Sequence, residues 1–412
     1  MTLNVAVFLY SFNDIDHIAP VAWALLNKGH RVRAIMLDPE RDGTNDPRIA
    51  FLERNALFSR HPVASVLDIP WTAWLFKQTA GETQGKMRRG LRKLLRMTGL
   101  SISRACAVLV EWQTDVCVFE WGSTGGHNRK EFHMAARQLG IRTICLPHGM
   151  NIYIHADANQ AMQSAMSTGQ ADKIRSDYVE YDAYVFQSEF HRDLEVALGV
   201  PTGITRVMGS ARYCPEWADT LRGLYPAFAP ASAGPNTVKV VFMLPHWTYN
   251  VDRDATLALI EALARDSFVH LVVKDHTRGT GGLPNDMRAS FKNLMGAETA
   301  ADEPSVTLIA WSDVVICFGS SIALEAHLQR KILINPTYLH TNKTIFEETR
   351  SSIETLSQDH TLNILSEIRD GNAPSLPEDA IDDLHSAMIY GGRAPFDVLN
   401  GYCALIENRE VA

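Results

Sequence analysis

The chain opens with an alternation of segments that few folds accommodate. Val5–Tyr10 is a β-branched and aromatic run with the character of a buried strand. Asp14 to Lys28 then carries apolar residues at helical spacing (Ile18, Val21, Ala22, Leu25, Leu26) and stops at Gly29, a natural residue to follow a helix. Arg31–Leu37 reads as a second strand. A β-α-β unit of this kind joins parallel strands through a right-handed crossover. The same N-terminal run has neither a basic n-region nor a small-residue cleavage site, so it is expected to be a first strand and not a signal peptide.

The alternation continues after a helical or irregular stretch from Pro47 to about Ser103. Strands are expected at Asp115–Trp121, Arg142–Leu146, Asp182–Gln187 and Thr205–Met208, with helices at Lys130–Leu139 and Glu189–Leu198, each followed by glycine. Residues 226–236 are rich in Pro, Ala and Gly and suit a linker. Beyond them the pattern restarts, with strands at Val238–Leu244, Val269–Lys274, Ser305–Leu308, Val314–Phe318 and Ile332–Asn335, and helices at Asp254–Arg265 and Ile322–Gln329. The expected organisation is a doubly wound α/β domain over 1–225, the linker, a second such domain over 237–385 and a helical tail over 386–412. Two Rossmann-like domains facing across a cleft are the simplest assembly, with ligands outside the carboxyl ends of the strands.

A length of 412 residues suffices for two cores. The net charge of −8 argues against a general nucleic-acid binder, which needs a basic face to release counterions. No apolar run reaches the roughly 18 residues that span a bilayer. The six cysteines form no C-x-x-C pair and fit reduced, buried thiols, which points to the cytoplasm. Lys86, Arg88, Arg89, Arg92, Lys93 and Arg96 interleave with Met87, Leu91, Leu94 and Leu95 on one helical face. That pattern suits peripheral contact with an anionic membrane, and equally a solvated helix packed on its domain by its leucines.

Four strand ends carry polar groups. Gly319-Ser320-Ser321 follows a strand and opens a helix, a place where N–H groups and hydroxyls attract an anion; a serine there also serves as a plain helix cap. Lys274-Asp275-His276 ends another strand of the same domain, where Lys274 and His276 suit a diphosphate or leaving phosphate, or are simply solvated. His148, in Pro147-His148-Gly149, is a candidate general base from the first domain, or a structural histidine. The loop Trp121–Arg129, with His127, is Gly-rich but lacks G-x-G-x-x-G, so a dinucleotide fingerprint is not supported. It serves to shape an acceptor side, or as a plain turn. No metal-ligand cluster or cofactor motif stands out.

The order of these motifs resembles the GT-B glycosyltransferases. It is most similar to bacterial surface-polymer transferases, namely CDP-glycerol glycerophosphotransferases and capsule-type Kdo and sialic-acid transferases. The residues that carry the likeness are His148-Gly149, Lys274 and His276, Ser320-Ser321, and the turn Gly209-Ser210-Ala211-Arg212. Asp275 stands where those families have Pro, and Cys317-Phe318-Gly319 replaces their Asp-Tyr. The resemblance implies transfer from a nucleotide-activated donor, CMP- or CDP-linked by preference, to a surface glycan or glycolipid. Gly319, Ser320, Ser321 and Lys274 then hold the donor phosphate, His276 stabilises the leaving charge, and His148 activates the acceptor. Asp14, Asp16 and Glu120 are substitute bases near first-domain strand ends, and His127 lies on the acceptor side. Two other readings stay open: a sugar-nucleotide epimerase of the UDP-GlcNAc 2-epimerase type, and a non-catalytic GT-B-like partner of an assembly complex.

Overall fold

The computed structural model describes residues 2–10, 12–38, 42–68, 100–122, 124, 128–147, 149–158, 160–169, 171, 174–175, 180–230, 236–276, 282–291, 296–300 and 303–409. The chain divides into two compact units. The first comprises Met1–Met150, Asp172–Trp217 and Met388–Ala412; the second comprises Asn151–Ala171 and Ala218–Ala387. The division does not follow a single cut at 226–236. Residues 151–171 join the second unit early, and the last helix returns to the first.

The first unit is a parallel sheet of β1 (Asn4–Leu9), β2 (Arg31–Met36), β3 (Phe58–Pro62), β4 (Val116–Glu120), β5 (Arg142–Leu146), β6 (Ala183–Phe186) and β7 (Thr205–Val207). Their spatial order is β3-β2-β1-β4-β5-β6-β7. β4 is buried along its whole length, as expected for a strand covered on both faces by helices. The ring of Phe8 lies 4.5 Å from that of Phe119 and 4.7 Å from that of Phe132, and the three anchor one side of this core.

The second unit contains β8 (Val238–Met243), β9 (Val269–Lys274), β10 (Ala297–Thr299), β11 (Val314–Cys317), β12 (Ile332–Pro336) and β13 (Ile353–Thr355), ordered β10-β9-β8-β11-β12-β13. All pairings are parallel. The segment expected as a strand at Ser305–Leu308 is instead a helix, Ser305–Trp311. Pro304 starts it: its carbonyl accepts from the amides of Thr307 and Leu308 and from the Thr307 hydroxyl. The β-branched run there resembled a strand, but passing from β10 to the parallel β11 requires a crossover, and this helix is part of it.

The C-terminal helix Val398–Ile406 packs in the first unit. Its Tyr402 hydroxyl donates to the Gly209 carbonyl at 2.9 Å, and Glu407 just beyond it bonds His30 at 2.7 Å. Among the described residues no helix is long and apolar enough to cross a membrane. The basic segment Lys86–Arg96 lies outside the described residues.

Candidate functional site

In both sheets the strand order reverses once, between β1 and β4 in the first and between β8 and β11 in the second. Chains leave these neighbouring strands toward opposite faces, which opens a crevice at the carboxyl edge. The residues that follow those strands are therefore the candidates.

In the second unit the register sets Cys317 opposite Met243 and Met243 opposite Lys274. The ends of β11, β8 and β9 thus lie side by side. Lys274 is only 7% exposed, and its carbonyl accepts from the Leu244 amide, which fixes the strand end. Asp275 turns to the Arg288 guanidinium and the Leu283 amide. His276 meets His246, which follows β8, edge to face with ring centroids 5.3 Å apart. His246 lies 4.9 Å from Tyr249 and holds the Thr248 hydroxyl at 2.7 Å. Tyr249 lies 5.9 Å from Tyr153, whose hydroxyl donates to the Gly319 carbonyl at 3.0 Å. A continuous run of polar rings therefore joins the end of β9, across the central strand, to the loop after β11.

That loop needs its glycine. Gly319 has φ +74°, and a Cβ there would sit 3.0 Å from the Tyr153 hydroxyl. The serines do not cap the following helix in the usual way. Helix Ala323–Leu328 begins after Ile322, while the Ser320 hydroxyl accepts from the Ile322 amide at 3.4 Å and its carbonyl accepts from Ala323. Ser320 and Ser321 are half-buried. The preceding thiol is no nucleophile, because burial pushes Cys317 up to about 12.

Two histidines behind this loop are held neutral. His340 stacks on Phe318 at 5.4 Å and bonds the side-chain Oδ1 of Asn335 at 3.2 Å; burial lowers it to about 4. His327, on the helix after the serines, is lowered to about 4 by burial and by its neighbour His385, and its Nε2 has no hydrogen-bond partner among the described residues. The unfolded chain takes up these protons near pH 6.5, whereas the folded chain resists them until about 4. Stability is thus complete above pH 6.5 and falls as the pH drops through that window, by about 3 kcal/mol per histidine. His327→Leu is expected to flatten the acid limb of thermal denaturation between pH 6.5 and 4 while changing the melting temperature little at pH 7.5. An unchanged acid limb excludes His327 as its source.

In the first unit Asp14 is fully buried and accepts from the Tyr10 amide at 2.7 Å, tying the turn after β1 to the helix Phe12–Asn27. Asp16 has one oxygen 2.7 Å from Arg48 and the other 2.7 Å from Arg212, with Arg48 also held by Asp46. Both oxygens of Asp16 are committed to guanidinium groups, so its visible task is to join three segments. Glu120, at the end of β4, pairs with Arg129. Arg212 belongs to the Gly209–Arg212 turn. There the Gly209 carbonyl is bound by Tyr402, and the Ser210 amide donates to the Ile389 carbonyl at 2.8 Å. His148 and His127 lie outside the described residues.

Sequence reasoning missed His246 and the tyrosines. A signal was present: Leu-Pro-His ends β5 as Leu146-Pro147-His148 and recurs after β8 as Leu244-Pro245-His246. Tyr153 was hidden because it precedes the expected linker, yet its segment is fastened into the second unit. Ile154 donates to the Lys343 carbonyl, and the Ile345 amide to that of Ile152.

No family model and no curated protein matches the sequence. Solved structures match along the whole length. A putative UDP-N-acetylglucosamine 2-epimerase from Listeria monocytogenes superposes with a TM-score of 0.56 at 11% identity, covering 99% of this chain and 96% of that one. UDP-GlcNAc 2-epimerase from Neisseria meningitidis, bound to UDP-GlcNAc, gives 0.55 at 11% identity, covering 98% and 99%. The glycotransferase of kitacinnamycin gives 0.53 at 10% identity, with full coverage of both chains. At these identities the likeness is one of fold, and with its two doubly wound parallel sheets the chain has the GT-B fold.

Proposed function

We propose that the chain transfers a sugar or polyol-phosphate group from a pyrimidine-nucleotide donor, CMP- or CDP-linked by preference, to a surface-glycan or glycolipid acceptor. The observation that carries this reading is the convergence of Lys274, His276, His246 and Gly319–Ser321 on three adjacent strand ends at the switch point of the second sheet. Such a cluster of a buried ammonium, two imidazoles and a backbone-accessible loop suits a phosphate whose charge grows as the donor bond breaks. Gly319, Ser320 and Ser321 hold that phosphate, and Lys274 and His276 stabilise it as it leaves. The acceptor oxygen attacks the donor carbon or phosphorus as its proton passes to His148, and the nucleotide departs with the bonding electrons. The resemblance to enzymes of nucleotide-sugar chemistry supports the same class of substrate.

A second reading, epimerisation of a nucleotide sugar without an acceptor, is favoured by buried carboxylates at the switch point of the first sheet, Asp14 and Glu120. Several solved neighbours are named as such epimerases. Thermal shift with CMP, CDP, UDP and GDP, followed by product analysis of the bound nucleotide's sugar conjugates without acceptor, separates the readings. Stabilisation by CMP or CDP that is lost in Ser320→Ala/Ser321→Ala, with no epimer formed, supports transfer. A new epimer supports the second reading. A chain that binds none of the four nucleotides is a non-catalytic partner.

A further inference from the structure

The hydrogen bond from the Tyr153 hydroxyl to the Gly319 carbonyl joins two parts of the second unit that lie 166 residues apart in the chain. A buried phenol needs a partner for its hydroxyl, and many carbonyls would serve. Here the partner residue has given up its side chain to admit the phenol. A Cβ on Gly319 would lie 3.0 Å from the Tyr153 hydroxyl, whereas the next atom, the Pro245 Cβ, is 3.9 Å away. The phenol thus occupies the side of the loop where any other residue would carry its own substituent.

Tyr153 is itself firmly held. Its amide donates to the Asn151 Oδ1 at 3.2 Å, and the Asn151 Nδ2 donates back to the Tyr153 carbonyl at 3.1 Å. An antiparallel bridge pairs it with Thr344, flanked by the bond from the Ile154 amide to Lys343 and that from the Ile345 amide to Ile152. Its ring lies 5.9 Å from Tyr249 and 6.1 Å from His155. Burial pushes the phenol well above its ordinary range, so the hydroxyl keeps its proton and always donates.

A rigid donor on a carbonyl acts one bond further on. A trans peptide sets its carbonyl and the next amide in opposite directions. The hydroxyl that fixes the Gly319 carbonyl therefore also fixes the Ser320 amide, turned away from the phenol. The bonds of Ser320 run through its hydroxyl, which accepts from the Ile322 amide, and its carbonyl, which accepts from the Ala323 amide and the Cys317 thiol. Among the described residues none of them uses the Ser320 amide.

We propose that Tyr153 is a positioning residue for the donor phosphate: by holding the Gly319 carbonyl it aims the Ser320 amide at a phosphoryl oxygen. The assignment rests on the reading of the Gly319–Ser321 loop as the phosphate grip. An amide fixed in place before the ligand arrives binds an anion without first losing its own freedom.

Calorimetric titration of the full chain with CDP, UDP, cytidine and uridine tests this. Tyr153→Phe removes the hydroxyl and keeps the ring, and is expected to melt within a few degrees of the parent. It should bind the diphosphate that the parent prefers about tenfold more weakly, and the matching nucleoside as the parent does. In amide spectra of isotope-labelled protein, the Ser320 proton should move downfield when that diphosphate is added to the parent, and less in Tyr153→Phe. A Tyr153→Phe chain that binds the diphosphate as the parent does, or that loses diphosphate and nucleoside affinity alike, overturns the assignment and leaves the loop reading standing. A parent that binds neither diphosphate, or a Ser320→Ala/Ser321→Ala chain that binds as the parent does, removes the loop reading and the assignment with it.

Discussion

Lys274→Met is expected to lower turnover by about 100- to 1000-fold, the loss that follows removal of one preorganised group from a developing oxyanion. Its carbonyl holds β8 to β9 at this point through the Leu244 amide, a bond that the substitution keeps. The variant should therefore melt within a few degrees of the parent. Steady-state kinetics on the donor identified by thermal shift gives the test. A fall in kcat with KM nearly constant marks a group that acts on the transition state, whereas a rise in KM alone marks uniform binding. If neither changes, Lys274 has no part in the chemistry and the donor site must be sought elsewhere.

The second large effect concerns stability. Gly209 has φ +75°, and a Cβ placed on it would lie 2.4 Å from the Ile389 carbonyl oxygen and 3.2 Å from Val398. The first contact is to backbone, which has no rotamer in which to yield. Gly209→Ala combines a left-handed conformation with this overlap, and about 3–5 kcal/mol of destabilisation is expected. The damage would spread: the neighbouring Ser210 amide donates to Ile389, the Gly209 carbonyl accepts from Tyr402, and Arg212 reaches Asp16. Urea denaturation gives the direct measurement. A variant within 1 kcal/mol of the parent would show that the turn relaxes at little cost.

The sequence patterns made the interior of both sheets legible. Buried strands such as Val269–Lys274 and Arg142–Leu146 carry the apolar runs Leu271–Val273 and Ile144–Leu146, and their bounds were read without error. The three strands that escaped notice, β3, β10 and β13, are all edges. An edge strand is short and partly wet, so Phe58-Ser59-Arg60-His61-Pro62 and Ile353-Glu354-Thr355 lack the hydrophobic signature. The candidate site was half legible for a related reason. Lys274 and Ser320-Ser321 stand out because each follows an apolar run. His246 matters only because β8 is central, and strand order is a property of topology. Tyr153 matters because its segment folds into the second unit, a long-range fact that no local pattern carries.

The return of the last helix to the first unit has a consequence for biosynthesis. The seven strands of the first sheet are complete once Val207 has been made, yet the residues that bind the Gly209 carbonyl and the Ser210 amide in the turn that follows, Tyr402 and Ile389, come only at the end. At ordinary elongation rates of about 5–20 residues per second that delay is on the order of 10–40 s. The second unit, by contrast, has all its residues by Ala387. The half of the protein that is translated first is therefore the half that finishes folding last, and the nascent chain carries a first sheet without its closing helix while the ribosome builds the second unit.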